Sequence, residues 1–189
     1  MKLKQILLAG IAAGAANMAM ANTGTITFSG QVVDSTCAVT VNNTTASATV
    51  TLPTVKIQEL ANANDTAGAT PFTIDVTGCT AITTPLITSI KTRFLAQNAD
   101  GANLANTAGT TPATKVAIQL LQDTGVIGST GDTALNFTTG YAESGTQPLA
   151  DAIGLGVVKF PFVARYIAVE NGVTAGTVQA IVDYELVYE

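Results

Sequence analysis

The stretch 178–188 alternates apolar and polar residues. Val178, Ala180, Val182, Tyr184, Leu186 and Tyr188 fall on one face. Thr177, Gln179, Asp183, Glu185 and Glu189 fall on the other, with Ile181 and Val187 as exceptions. A period of two is the signature of a half-buried β-strand. Near the start of the chain Ile26, Phe28 and Val32 share one register, accompanied by Gly24 and Gly30. Strands therefore stand at both ends of the chain that remains once its leader is removed.

That leader is residues 1–21. Lys2 and Lys4 form a charged start, 6–16 is apolar, and Ala19-Met20-Ala21 supplies small residues in a cleavage-site pattern. The apolar run is too short for a membrane anchor and fits a cleaved secretory signal. Residues 22–189 then hold 168 of the 189 residues, enough for one domain with a core. Loss of two lysines leaves six basic residues against 13 acidic ones, a net charge of about −7. Such a balance argues against nucleic acid or an anionic membrane as partner.

Two cysteines, Cys37 and Cys79, stand 42 positions apart. In an exported chain the expected state is a disulfide. A reactive thiol or a metal pair is the alternative, weakened by the lack of histidine and of CxxC spacing. Thr and Val favour strands, while Gly and Asn favour turns. No stretch joins a good N-cap to a sustained 3.6 period, so long helices are not expected, only a short turn of helix at 55–61. Strands are expected over 24–33 (continuing past Cys37 to Val41), 46–52, 72–76, 86–95, 116–121, 157–168 and 178–188. Turn-rich segments at 62–70, 98–112, 122–131 and 142–156 separate them. The Ala/Gly/Asn/Thr-rich stretch 97–114 and the segment 142–156 read as solvated surface loops. Short strands with frequent turn signals predict an all-β sandwich.

In order along the chain, several segments carry a resemblance. They are Gly24 to Cys37, Leu52 to Leu60, Phe72 to Cys79, Val116 to Gly125, Pro161 to Tyr166, and the final strand with its penultimate Tyr188. Taken together with the signal and the cysteine spacing, the sequence resembles the chaperone–usher pilins, in particular the major-subunit type of type 1 fimbriae. The resemblance implies an incomplete immunoglobulin-like β-sandwich, completed by a donor strand from a neighbouring subunit. It implies three parts: the signal 1–21, an N-terminal donor-strand extension 22–34, and a pilin domain 35–189. Gly24, Ile26, Phe28, Gly30 and Val32 would form the donor strand. Val182, Tyr184 and Leu186 would line the acceptor groove, and Tyr188 and Glu189 would form the end that a periplasmic chaperone recognises. The implied partners are neighbouring copies or other pilins, the chaperone and an outer-membrane usher. The implied destination is a cell-surface fimbrium reached through the periplasm.

Physical chemistry fits these assignments. An unfilled groove exposes unpaired backbone and apolar side chains. A donor with alternating apolar residues fills it, each fully buried side chain contributing about 1.5–3 kcal/mol. Backbone pairing adds affinity without sequence specificity. Gly30 lets the donor backbone approach a shallow part of the groove, or else marks a bend in an ordinary first strand.

The leading expectation is thus a structural subunit of an adhesive fibre. A minor fimbrial adaptor or a secreted carbohydrate-binding β-sandwich is the alternative, disfavoured by the absence of tryptophan. Without histidine no Ser–His or Cys–His nucleophile can form, and the carboxylates are scattered, so no enzyme, cofactor or metal is expected. Asp100 and Asp132 beside glycines read as turns, and the N-x-T triplets at Asn43 and Asn136 as chance.

Overall fold

A computed structural model describes residues 37–79, 87–123 and 132–189. The chain divides into Met1–Val32 and Val33–Glu189, and every described residue belongs to the second unit. The signal segment, the first expected strand up to residue 36, and the donor residues Gly24, Ile26, Phe28, Gly30 and Val32 lie outside the described residues.

Eleven strands are described. They are β1 (Ala38–Val41), β2 (Thr66–Thr77), β3 (Ser89–Ala96), β4 (Ala99–Asp100), β5 (Asn103–Ala105), β6 (Val116–Gln122), β7 (Thr133–Ala134), β8 (Tyr141–Glu143), β9 (Gln147–Pro148), β10 (Val157–Ala168) and β11 (Val182–Tyr188). The larger sheet runs β1-β2-β10-β6-β5-β4, with β7 also on β6; the smaller runs β11-β3-β8, with β9 also on β3. All strand pairs are antiparallel. The fold is an all-β, immunoglobulin-like sandwich, as expected.

Alternation builds the layer between the sheets. Phe72, Ile74 and Val76 of β2 and Val158, Phe160 and Phe162 of β10 enter it from the larger sheet. Ile90 and Phe94 of β3 enter it from the smaller one. The Phe162 ring stacks on Phe72 at 5.5 Å and meets Phe94 edge-on at 4.9 Å, so one aromatic ties three strands across both sheets. Among the described residues helix is confined to one 3-10 turn, Ile57–Leu60, and one short helix, α1 (Leu149–Gly154).

Several expectations need correction. Segment 46–52 is not a strand: Thr45 makes a single bridge to Val41 and the chain continues without a ladder. Its Val50 and Leu52 still pack against the core, so the apolar pattern reflected burial rather than pairing. β11 begins at Val182, not Val178, because 177–179 bonds instead to the loop at 106–113. The second half of 62–70 is strand, not turn. The stretch 97–114 is not a plain surface loop: it folds β4 and β5 into a hairpin that buries Leu104. Segment 142–156 likewise contains the end of β8, then β9 and α1.

Two details set the ends of the sandwich. A register shift between Ala164 and Tyr166 kinks β10 against β2. Opposite it Gly68, at φ +69°, lies so close to the Tyr166 ring that a Cβ would sit 2.9 Å from Cδ2. Beyond this point Leu60, Ala113, Val116 and Ala168 form a second small core. At the opposite end the Cys37–Cys79 disulfide joins the start of β1 to the chain leaving β2. Closing a loop of 42 positions stabilises the fold by about 4 kcal/mol on the chain-entropy model.

Two outcomes are expected in chemical denaturation. Phe162→Ala lowers unfolding free energy by roughly 3–5 kcal/mol, because both its ring partners lose their contact. Cys37→Ser lowers it by about 4 kcal/mol, and an unchanged midpoint would show that the reduced chain already holds the two ends together.

Candidate strand-acceptor edge

β1 closes the larger sheet on one flank, and β11 closes the smaller. Two hydrogen bonds place these edges side by side. The Cys37 N–H donates to the Tyr188 hydroxyl at 3.4 Å, and the Tyr184 hydroxyl donates to the Ala46 carbonyl at 2.7 Å. Two tyrosines of β11 thus reach the chain just before and just after β1. Among the described residues, no strand pairs with the outer edge of either β1 or β11.

The register of β11 on β3 explains which side chains face inward. Val182 lies opposite Ala96, Tyr184 opposite Phe94, Leu186 opposite Thr92 and Tyr188 opposite Ile90. Phe94, Thr92 and Ile90 are at most 1% exposed. The β11 row continues the same layer outward but is only half-buried. Val182, Tyr184, Leu186 and Tyr188 are therefore brought together on one strand face, against the core and along a sheet edge. Burial raises the Tyr184 hydroxyl above its ordinary value, so it stays a proton donor.

The other face of the smaller sheet is ionic. Arg93 Nε donates to Glu143 Oε1 at 2.7 Å, and its Nη1 meets Glu185 Oε1 at 3.0 Å. Lys91 Nζ lies 2.9 Å from Glu143 Oε2 and also pairs with Glu189. The Arg93 guanidinium lies 5.3 Å above the Tyr141 ring. This chain of charges crosses β8, β3 and β11, so it fixes the edge strand from outside while the apolar row faces in. Glu189 follows β11: its main-chain oxygen accepts from the N–H groups of Thr88 and Ser89 at 2.6 and 2.9 Å. The charge ladder was not singled out in the sequence. Lys91 and Arg93 do alternate with Ile90, Thr92 and Phe94, but the partner Glu143 is 50 positions from Arg93.

Chemically the flank offers backbone donors and acceptors beside a half-buried apolar row, which suits strand addition.

The ladder has a pH signature. Hydrogen bonds from Lys91 and Arg93 hold Glu143 below its ordinary 4.5. Its contribution is complete above 4.5 and is lost as pH falls through the lowered value. Hydrogen bonds to Glu189 and Glu143 hold Lys91 above its ordinary 10.5, so its contribution is complete below 10.5 and is lost as pH rises through the raised value. Glu143→Gln should therefore lower the melting temperature at pH 7 and leave it unchanged once Glu143 is protonated in the native state. A destabilisation that persists there would mean packing, not charge, is what the side chain supplies.

The family model described as Fimbrial protein matches residues 26–189. The F17 fimbrial protein of Escherichia coli is 35% identical over 192 residues, covering 98% of each chain. The S-fimbrial protein subunit SfaA of Escherichia coli O6:K15:H31 is 33% identical over 197 residues, covering all of both. Among solved structures, a Burkholderia pseudomallei antigen and type I fimbria protein superposes with a TM-score of 0.52 at 25% identity, over 83% of this chain and 97% of that one. The disulfide, the two-sheet architecture and the full-length matches converge: the chain belongs to the fimbrial protein family.

Proposed function

We propose that the protein is a structural subunit of an adhesive surface fimbria, and that copies join by strand donation along β11. Residues 22–34 of one copy form the donor and 35–189 of the next form the acceptor. Ile26, Phe28 and Val32 bury their side chains against the row Val182, Tyr184, Leu186 and Tyr188. Gly24 and Gly30 let the donor backbone approach closely. A periplasmic chaperone shields the same edge before assembly, recognising the end at Tyr188 and Glu189, and an outer-membrane usher exports the chain. The role is structural, not enzymatic.

One observation supports this reading above the others. The inward row of β11 is half-buried, while three of the four residues paired with it on β3, Phe94, Thr92 and Ile90, are fully buried. A strand laid on that edge would finish the layer, satisfying backbone and side chains in one step. The fimbrial relatives, matched over their whole length, support the same conclusion.

The test is thermal unfolding of a chain lacking residues 22–34, with and without a synthetic peptide of that sequence. Binding to the native state raises the melting temperature by mass action, by about 2.7 kcal/mol of stability at a peptide concentration 100 times Kd. Phe28→Ala in the peptide should weaken binding by roughly 3–5 kcal/mol and abolish most of the shift. A truncated chain that is already stable, and indifferent to the peptide, would overturn strand donation.

A further inference from the structure

The two ends of β10 carry features that match. Twelve residues of strand separate them, about 40 Å. At the first end, the turn out of α1 leaves Leu155 74% exposed, with Ile153 and Val157 also exposed beside it. Gly156, at φ +78°, makes that turn. The chain enters the described fold at this same end: Val157 pairs with Thr77, and Thr77 with Ala38, next to the disulfide.

At the other end lies an open cavity of about 410 Å³, whose apolar lining includes Val55, Leu60, Val173 and Val178. Ile57 stands on its rim, exposed. The cavity is a built feature of the fold. Gly176 crosses the 111–113 backbone so closely that a Cβ would lie 2.4 Å from the Ala113 nitrogen. The Thr177 N–H then bonds to Thr111 at 2.9 Å, which pins the 173–178 wall in place. The two ends also differ in charge. Lys56 lines the cavity, and Asp151 stands in the first turn of α1. Neither forms an ion pair among the described residues.

We propose that consecutive copies make a second contact, Leu155 of one copy seated in the cavity of the next, with Asp151 facing Lys56. The proposal rests on the strand-donation reading and adds a contact outside the donated strand. Residues 22–34 lead almost directly into Cys37, so the Leu155 end of the donor must lie where its extension leaves the acceptor. An extension antiparallel to β11 leaves at the Val182 end, where Val178 lines the cavity. A parallel extension would set like end against like end and leave Leu155 with no cavity to enter. Head-to-tail joining of unlike surfaces is also what an open fibre requires.

Paired cysteines in the full-length chain test the contact. Fibres assembled from the Leu155→Cys, Val173→Cys double variant should give a ladder of linked copies on a non-reducing gel. The ladder should collapse on reduction and be absent from either single variant. Normally assembled fibres that yield only monomers would overturn the contact and leave strand donation standing. Linking by Val32→Cys with Val173→Cys, but not by Leu155→Cys with Val173→Cys, would give the cavity to the extension and overturn it too. Should the double variant assemble poorly, Leu155→Asp decides, since an exposed turn residue is not needed for folding. Its fibres should lose subunits on the order of tenfold faster in warm detergent. An unchanged rate overturns the proposal.

Discussion

Two sheets that end on the same flank leave one problem for the rest of the molecule. The edge of β11 carries backbone groups without a described partner strand, above side chains that belong to the core layer. Edges of this kind are usually blunted by bulges, inward charges or covering loops. Here the inward positions are Val182, Tyr184, Leu186 and Tyr188, and the charges Asp183 and Glu185 alternate with them outward. The edge keeps the chemistry of an interior strand, which is unfavourable for a free-standing domain and suited to one that is finished by another chain.

Holding such an edge in place takes contacts that do not depend on a further strand. The disulfide anchors the start of β1, and the hydroxyls of Tyr184 and Tyr188 span from β11 to the chain on either side of β1. From the outer face, Arg93 and Lys91 grip Glu185, Glu189 and Glu143. These pairs are partly exposed, and any one surface pair contributes little. Their use is geometric: they share charges across three strands, so β11 keeps its register while its inner face stays accessible. Asp75 makes the contrasting case. It is fully buried between β1 and β10, and among the described residues its one charged partner is the Lys159 ammonium at 3.3 Å, on the other side of the sheet from the core residues of β2.

Much of this was legible in the residues because period-two alternation reports burial on one face. β10 was placed at its observed limits, and β2, β3 and β6 were found to within a few residues at the ends described or well inside longer strands. Alternation reports burial, however, and not pairing. That is why 46–52 looked like a strand when Val50 and Leu52 only lean on the core. Composition misled in the opposite direction at 97–114, where small polar residues hide a hairpin whose one large apolar side chain, Leu104, does the burying. The row along β11 was legible residue by residue. Its exposed edge was not, because the position of a strand within a sheet is a long-range property.

Polarity decides between the two ways such an edge could be finished. Cys37 lies beside Tyr188, at the end of β11, so an extension folding back within its own chain would run parallel to β11. An extension arriving from a neighbour at the Val182 end would run antiparallel. Parallel pairing is slightly weaker per residue, and its slanted bonds match an otherwise antiparallel sheet less well. The difference is multiplied along the seven residues of β11. A fold-back also requires the chain to reverse within the few residues before Cys37, immediately beside the disulfide. On the proposed strand-donation reading, the same segment is therefore the better strand for another molecule. Under that proposal, the position of the disulfide relative to the last strand is what makes a linear assembly the favoured outcome over a closed monomer.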